Sequence, residues 1–312
     1  MSRVGDLAAL AGQRVRDRLD GRAVVLCYHR VAALEHDPQL LAVTPERFRA
    51  QLQMLQSRFS VQPLGGLVGA DVRAGGVAIT FDDGYADNLA ALSDAGAPAA
   101  VFVTTGQTGA RRELWWDELE RLLGKRSGDG DLMLRGRRFD TSDSHAAYEA
   151  IHASVRQWPT EEVEAAMVEL RAWAGESPTG DHRDSHRQLD VDELQALDAV
   201  PGVEIGAHSV THPSLAAQPE AVQQRELVES KIQLERWLGH PVRSMSYPYG
   251  GSRDQSKLTR RLAREAGYSY AAANFPGLVG PRSDRWRLPR VLVRDWEAAE
   301  LEARLERLLR HA

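Results

Sequence analysis

Two carboxylates stand side by side in the run Ile79-Thr80-Phe81-Asp82-Asp83-Gly84-Tyr85. Adjacent acids at the end of an apolar stretch seldom serve packing. One of them can bind a cation while the other handles a proton. A carboxylate alone makes a poor transition-metal site, so nitrogen ligands are needed from elsewhere in the chain. They occur in Gly206-Ala207-His208-Ser209-Val210-Thr211-His212-Pro213, where His208 and His212 have a His-x-x-x-His spacing that suits two imidazoles on one ion.

These residues need elements that bring them to one place. Gly76 to Phe81 is apolar and β-branched enough for a buried strand, with Gly84 marking a turn directly after the acids. Neighbouring side chains of a strand point to opposite faces, so both acids reach one cavity only if the chain turns there. Val203 to Ala207 is a second short strand, leading into the histidine loop, and Ala23 to Tyr28 a third, ending at His29. From position alone His29 reads equally as a catalytic imidazole at a strand end or as a cap on a backbone carbonyl. Further strand-like runs cover Ser60 to Leu64 and Ala99 to Thr105, with others near 245, 270 and 290. Helical runs alternate with them, including Thr44 to Phe59, where Thr44 is the expected N-cap, and Glu220 to Leu238, stopped by Gly239. Alternating β and α units with apolar strands imply a parallel sheet.

Thr80-Phe81-Asp82-Asp83-Gly84 and His208-Ser209-Val210-Thr211-His212, followed by Ser246-Tyr247-Pro248-Tyr249-Gly250, resemble the motifs of the polysaccharide deacetylases, the NodB-type carbohydrate esterases. The resemblance runs from about residue 24 to about residue 296. It implies an α/β fold, a distorted (β/α)7 barrel, and metal-dependent removal of an N-acetyl group from an amino sugar. Asp83, His208 and His212 become the metal ligands, with zinc the expected ion and cobalt, nickel or manganese admitted. Asp82 becomes the base, and the backbone N–H of Tyr249 an oxyanion donor. A branch of the family begins with a Tyr-His motif, which makes His29 the candidate acid for the leaving amine. The family often has arginine where this chain has Ser246. Arg290, in the Leu-Pro-Arg run, is the candidate substitute, against an ordinary salt bridge.

From about 107 to 200 the pattern changes to helical runs and polar loops. An all-helical insertion on the loop face is expected there, with residues 1–106 and 201–312 forming the barrel and a helix over 4–19 as a cover. Trp115 and Trp116 lie in the first helical run, where they either stack on a sugar or pack the helix onto the barrel. Tyr85 joins them and Tyr249 as candidate substrate contacts. His182 and His186 repeat the His-x-x-x-His spacing, but their highly charged surroundings read as a solvated loop.

The chain has 312 residues, with 39 Lys plus Arg against 44 Asp plus Glu, a balance that disfavours a polyanion such as nucleic acid as partner. Its single cysteine, Cys27, sits in an apolar run and reads as a buried structural thiol. Arg14, Arg16, Asp17 and Arg18 break any apolar leader, so a cytoplasmic placement is expected. Two other readings compete with the deacetylase: hydrolysis of a non-sugar or cyclic amide at the same site, and a carbohydrate-binding barrel without chemistry. Loss of an acid or a histidine would mark the latter, and none is lost.

Overall fold

The computed structural model describes residues 22–68, 76–110, 112–126, 130–177 and 181–310. The expected cover helix over 4–19 lies outside them. In chain order the elements are β1 (Val24–Tyr28), β2 (Arg30–Val31), β3 (Ala42–Val43), α1 (Pro45–Arg58), β4 (Ser60–Val61), β5 (Gly76–Phe81), α2 (Asp87–Ser93) and β6 (Ala99–Val103). Then come α3 (Trp115–Lys125), β7 (Asp131–Leu134), β8 (Arg137–Asp140), α4 (Ser144–Val155), α5 (Thr160–Trp173) and α6 (Val191–Asp198). The last part holds β9 (Val203–Ala207), α7 (Glu220–Leu238), β10 (Ser244–Ser246), α8 (Lys257–Glu265), β11 (Tyr270–Ala272), β12 (Val291–Leu292) and α9 (Ala298–Arg310).

The main sheet is parallel, in the order β11-β10-β9-β6-β5-β1-β12, with β4 paired to β5 beside it. The segment leading into β12 also bonds β11: Leu288 bridges Ala272, while Val291 is in register with Leu26 of β1. The sheet thus curls round on itself as a distorted seven-stranded barrel. Every residue of β1, β5 and β6 is buried, because these strands have helices on one face and the barrel interior on the other. Parallel registry has a functional consequence. Tyr28 is level with Phe81, Phe81 with Val101, Val103 with Ala207, and Ala207 with Met245, so the residues following these strands emerge on one rim.

Between β6 and β9 the insertion carries its own core, built from Trp116, Leu119, Leu122, Leu132, Tyr148, Ile151 and Leu170 among others. It is not all-helical. Strands β7 and β8 pair antiparallel through a two-residue turn at Arg135 (φ 49°) and Gly136 (φ 75°). Leu132 and Leu134 alternate inward while Met133 is 54% exposed, a period-two pattern that a helical reading overlooks. The insertion also ends before 200, because Leu194 and Leu197 of α6 belong to the barrel core. At the start of α1, Thr44 makes no cap bond; its N–H and hydroxyl both bond Asp295. Gly239 stops α7 in the left-handed conformation, φ 76°.

Candidate active site

The acids of β5 reach one cavity because the chain turns one residue earlier than the glycine alone suggests. Asp83 itself has φ 72° and Gly84 φ 78°, with the Gly84 N–H donating to the Asp82 carbonyl at 3.0 Å. Ser209 (φ 64°), His212 (φ 58°) and Tyr249 (φ 59°) share this left-handed backbone. Four of the six non-glycine residues with positive φ among those described therefore ring one site. Such strain persists only where surrounding contacts enforce it. Those contacts can be named. Glu226 of α7 accepts from the N–H groups of Val210 and Thr211 and from the Thr211 hydroxyl, at 2.7 to 2.9 Å. The exit segment of the insertion grips the acid turn, with Leu189 N–H donating to the Gly84 carbonyl at 2.9 Å and the Gln188 side chain to the Asp83 carbonyl.

Asp83 Oδ1 lies 3.5 Å from His208 Nε2 and 3.3 Å from His212 Nε2. All three residues are buried, and Asp83 Oδ1 has no hydrogen-bond partner. His208 Nδ1 sits 2.8 Å from the Ser246 carbonyl, so it carries the hydrogen and leaves the Nε2 lone pair facing Asp83. An orphaned carboxylate oxygen facing two imidazole nitrogens fits the donor set of a divalent ion.

Asp82 is held differently. Arg290 Nη1 donates to Oδ1 at 2.7 Å and Nη2 to Oδ2 at 2.6 Å, a bidentate clamp. Arg290 is 1% exposed and is itself fixed by the Ala273 carbonyl, Thr80 and Ser246. Ser246 thus supports the arginine that the motif lacks at its own position. Burial pushes the Asp82 carboxyl up, yet Arg290, with His208, outweighs this and brings it down to about 2. Cys27 is not merely core, since its Sγ lies 3.6 Å from Asp82 Oδ2. His29 is buried beside the same carboxylate, with Nδ1 lacking a partner; burial lowers its pKa against the pull of Asp83 and Asp82.

A cavity of about 150 Å³ opens over these groups. His29, Asp82, Asp83, His208, His212 and Tyr249 line it from the barrel, and Trp116, His152 and Arg156 from the insertion. The Tyr249 ring packs edge-on to His212 with centroids 4.6 Å apart, and the Arg156 guanidinium carbon lies 4.1 Å from its centroid. Among the described residues no group accepts from the Tyr249 N–H.

Two expected substrate contacts are corrected. Tyr85 is 0% exposed, donating to Asp117 at 2.7 Å and accepting from the Trp116 indole at 3.0 Å, so it joins the insertion to the barrel and cannot touch a sugar. Trp115 stacks on His152 at 5.1 Å, outside the residues lining the cavity. Trp116 does both things weighed for it, packing inward and facing the cavity against His212 at 4.6 Å. His186 is buried, not solvated, and burial lowers its pKa to about 3. Sequence reasoning missed His152 and Arg156. Their signal was the i, i+4 spacing of Tyr148, His152 and Arg156 along one face of α4.

A family model described as polysaccharide deacetylase matches residues 155–271, a span holding both histidines and the Pro248-Tyr249 pair. No curated protein sequence matches the chain. Among solved structures it resembles the Streptococcus pyogenes deacetylase PplD in complex with acetate, at 18% identity over 90% of this chain and 97% of that one, with a TM-score of 0.59. IcaB from Ammonifex degensii is similar at 20% identity, 91% and 96% coverage, and a TM-score of 0.57. The BpsB deacetylase domain from Bordetella bronchiseptica follows at 17% identity, 89% and 97% coverage, and 0.52. At these identities the structural likeness shows the shared fold, a mostly parallel curled sheet surrounded by helices. The chain is thus similar to the polysaccharide deacetylases in sequence over residues 155–271 and in fold over about nine-tenths of its length.

Proposed function

We propose that the chain hydrolyses the N-acetyl group of an amino-sugar residue, releasing acetate and a free amine, with a divalent ion held by Asp83, His208 and His212. The observation that carries this reading is the buried, unpartnered Oδ1 of Asp83 between two imidazole nitrogens, next to a second carboxylate clamped by Arg290. Zinc is the proposed ion. Bound there, it would supply a Lewis acid that polarises the acetamide carbonyl and acidifies water.

Arg290 keeps Asp82 anionic and fixes its orientation, so a proton acceptor stands ready beside the reacting carbon. Asp82 takes the proton of the attacking water as its oxygen bonds to the acetamide carbon. The N–H of Tyr249 donates to the carbonyl oxygen as that oxygen gains charge; Pro248 has no N–H to share the task. His29, at the Asp82 end of the cavity and in its protonated form, gives a proton to the nitrogen as the C–N bond breaks, and the proton taken up by Asp82 restores it when the cycle closes. Without that proton the leaving group would be an amide anion. Trp116, His152 and Arg156 supply the wall that receives the sugar, and the small cavity suits one residue at a time. Mass spectrometry of N-acetylated oligosaccharides after incubation tests this. Loss of one acetyl per modified residue with a new primary amine is expected; intact acetamides alongside cleaved cyclic amides would favour the non-sugar reading.

A further inference from the structure

Outside the catalytic groups, the cavity wall has a charge that the hydrolysis of a neutral acetamide does not require. Two arginines line it, Arg156 from the C-terminal end of α4 and Arg294 just after β12. Among the described residues the cavity's only carboxylates are Asp82, already neutralised by Arg290, and Asp83, which faces the two histidines. Arg294 is half-buried and donates through Nη1 to the carbonyls of Gln39 and Leu40. Among the described residues no carboxylate lies within ion-pair distance of it. Carbonyl oxygens orient a guanidinium without neutralising it, and Asp37 acts on Arg294 only through space, without a direct ion pair, so a partly buried charge is left that an arriving anion would match. Arg156 is paired with Asp254 through Nη2 alone, at 2.9 Å to both oxygens, and its buried Nε has no partner. Its guanidinium is also fixed over the Tyr249 ring.

We infer that the acetylated sugar bears an anionic group, a phosphate or a carboxylate on the same or the adjoining residue, which docks on Arg294 with help from Arg156. This rests on the deacetylase reading and adds the substrate's charge to it. Arginine forks suit either anion, since both present oxygens for paired N–H donors. A site built to hold a charged oxygen group also disfavours a substrate lacking it, because the guanidinium is then left without its partner.

The test compares matched acetamides with the wild-type enzyme at low salt: N-acetylglucosamine 1-phosphate against the methyl glycoside, and an N-acetylglucosaminyl-uronate disaccharide against its neutral counterpart. At least one anionic probe should have kcat/KM about 10-fold or more above its neutral partner. The arm with the larger ratio tells phosphate from carboxylate. Arg294→Gln should bring that ratio near 1, Arg294→Lys should retain much of it, and Arg156→Gln should lower it. Equal rates on charged and neutral probes, or a ratio indifferent to Arg294→Gln, would overturn the inference while leaving deacetylation intact. Turnover of no acetamide would instead count against the deacetylase reading. In that event calorimetric binding of glucosamine 1-phosphate, which needs no turnover, still decides the arginines: binding lost in Arg294→Gln supports them, and no binding by the wild type refutes them.

Discussion

Arg290 and Asp82, 208 residues apart in the chain, meet in a two-pronged ion pair with both N···O distances at or below 2.7 Å. The pair is wholly buried and joins the strand that opens the site to the segment that closes the barrel. One residue thereby fixes the proposed base and ties the seam beside it.

Arg290→Gln should therefore lower both activity and stability. Breaking one partner of a buried pair costs about 3–5 kcal/mol, and a misoriented base about 100-fold in kcat. Adding Asp82→Asn should restore much of the melting temperature and none of the activity. Thermal unfolding and kinetics of the single and double variants check this; an Arg290→Gln enzyme of normal kcat would detach the clamp from catalysis.

Glu226 touches no proposed ligand, yet it holds the backbone between His208 and His212 through three hydrogen bonds. Glu226→Gln should weaken metal retention about 10-fold, as loss of such supporting contacts generally does. Competition against a chelator of known affinity measures it. His208→Gln should abolish high-affinity binding outright.

Tyr85 acts as a joint. Tyr85→Phe should cost about 1–3 kcal/mol through the Asp117 and Trp116 groups left unpaired, with KM for the sugar little changed. A large rise in KM with unaltered stability would reinstate it as a substrate contact.

Asp117 gives a pH dependence remote from the metal ligands. Burial raises its pKa to about 7, against the lowering effects of Arg30 and the Tyr85 hydroxyl. The folded state then binds more protons than the unfolded one between about pH 4 and pH 7. This group's contribution is full below that window and declines as pH rises through it, by at most about 1.4 kcal/mol per pH unit. Asp117→Asn should remove that part of the slope, as urea unfolding at pH 5 and pH 7.5 would reveal.

The rim that gathers the candidate residues was legible because each of its parts is local: a buried strand followed within three residues by a polar side chain that could do chemistry, as at Phe81-Asp82-Asp83 and Ala207-His208. Arg290 was found by a missing function, since Ser246 could not hold an acid. What escaped depends on approach between distant segments. The i, i+4 spacing puts His152 and Arg156 on one face of α4, but that this face meets the cavity depends on contacts from distant segments such as Arg156 to Asp254. Tyr85 reads as a substrate contact by its neighbours in sequence, yet Trp116 and Asp117 bury it from across the insertion. The β7–β8 hairpin was readable in the alternation of Leu132 and Leu134 and in the Arg135-Gly136 turn, but expectation of helices hid it.

The most direct test of the central claim is acetate release from an N-acetylated amino-sugar panel by metal-analysed protein, with Asp82→Asn and chelator-treated protein alongside. The account predicts about one divalent ion per chain, acetate equimolar with new amine, and a loss of at least about 100-fold in both controls. Acetate release undiminished by Asp82→Asn and by the chelator would contradict it.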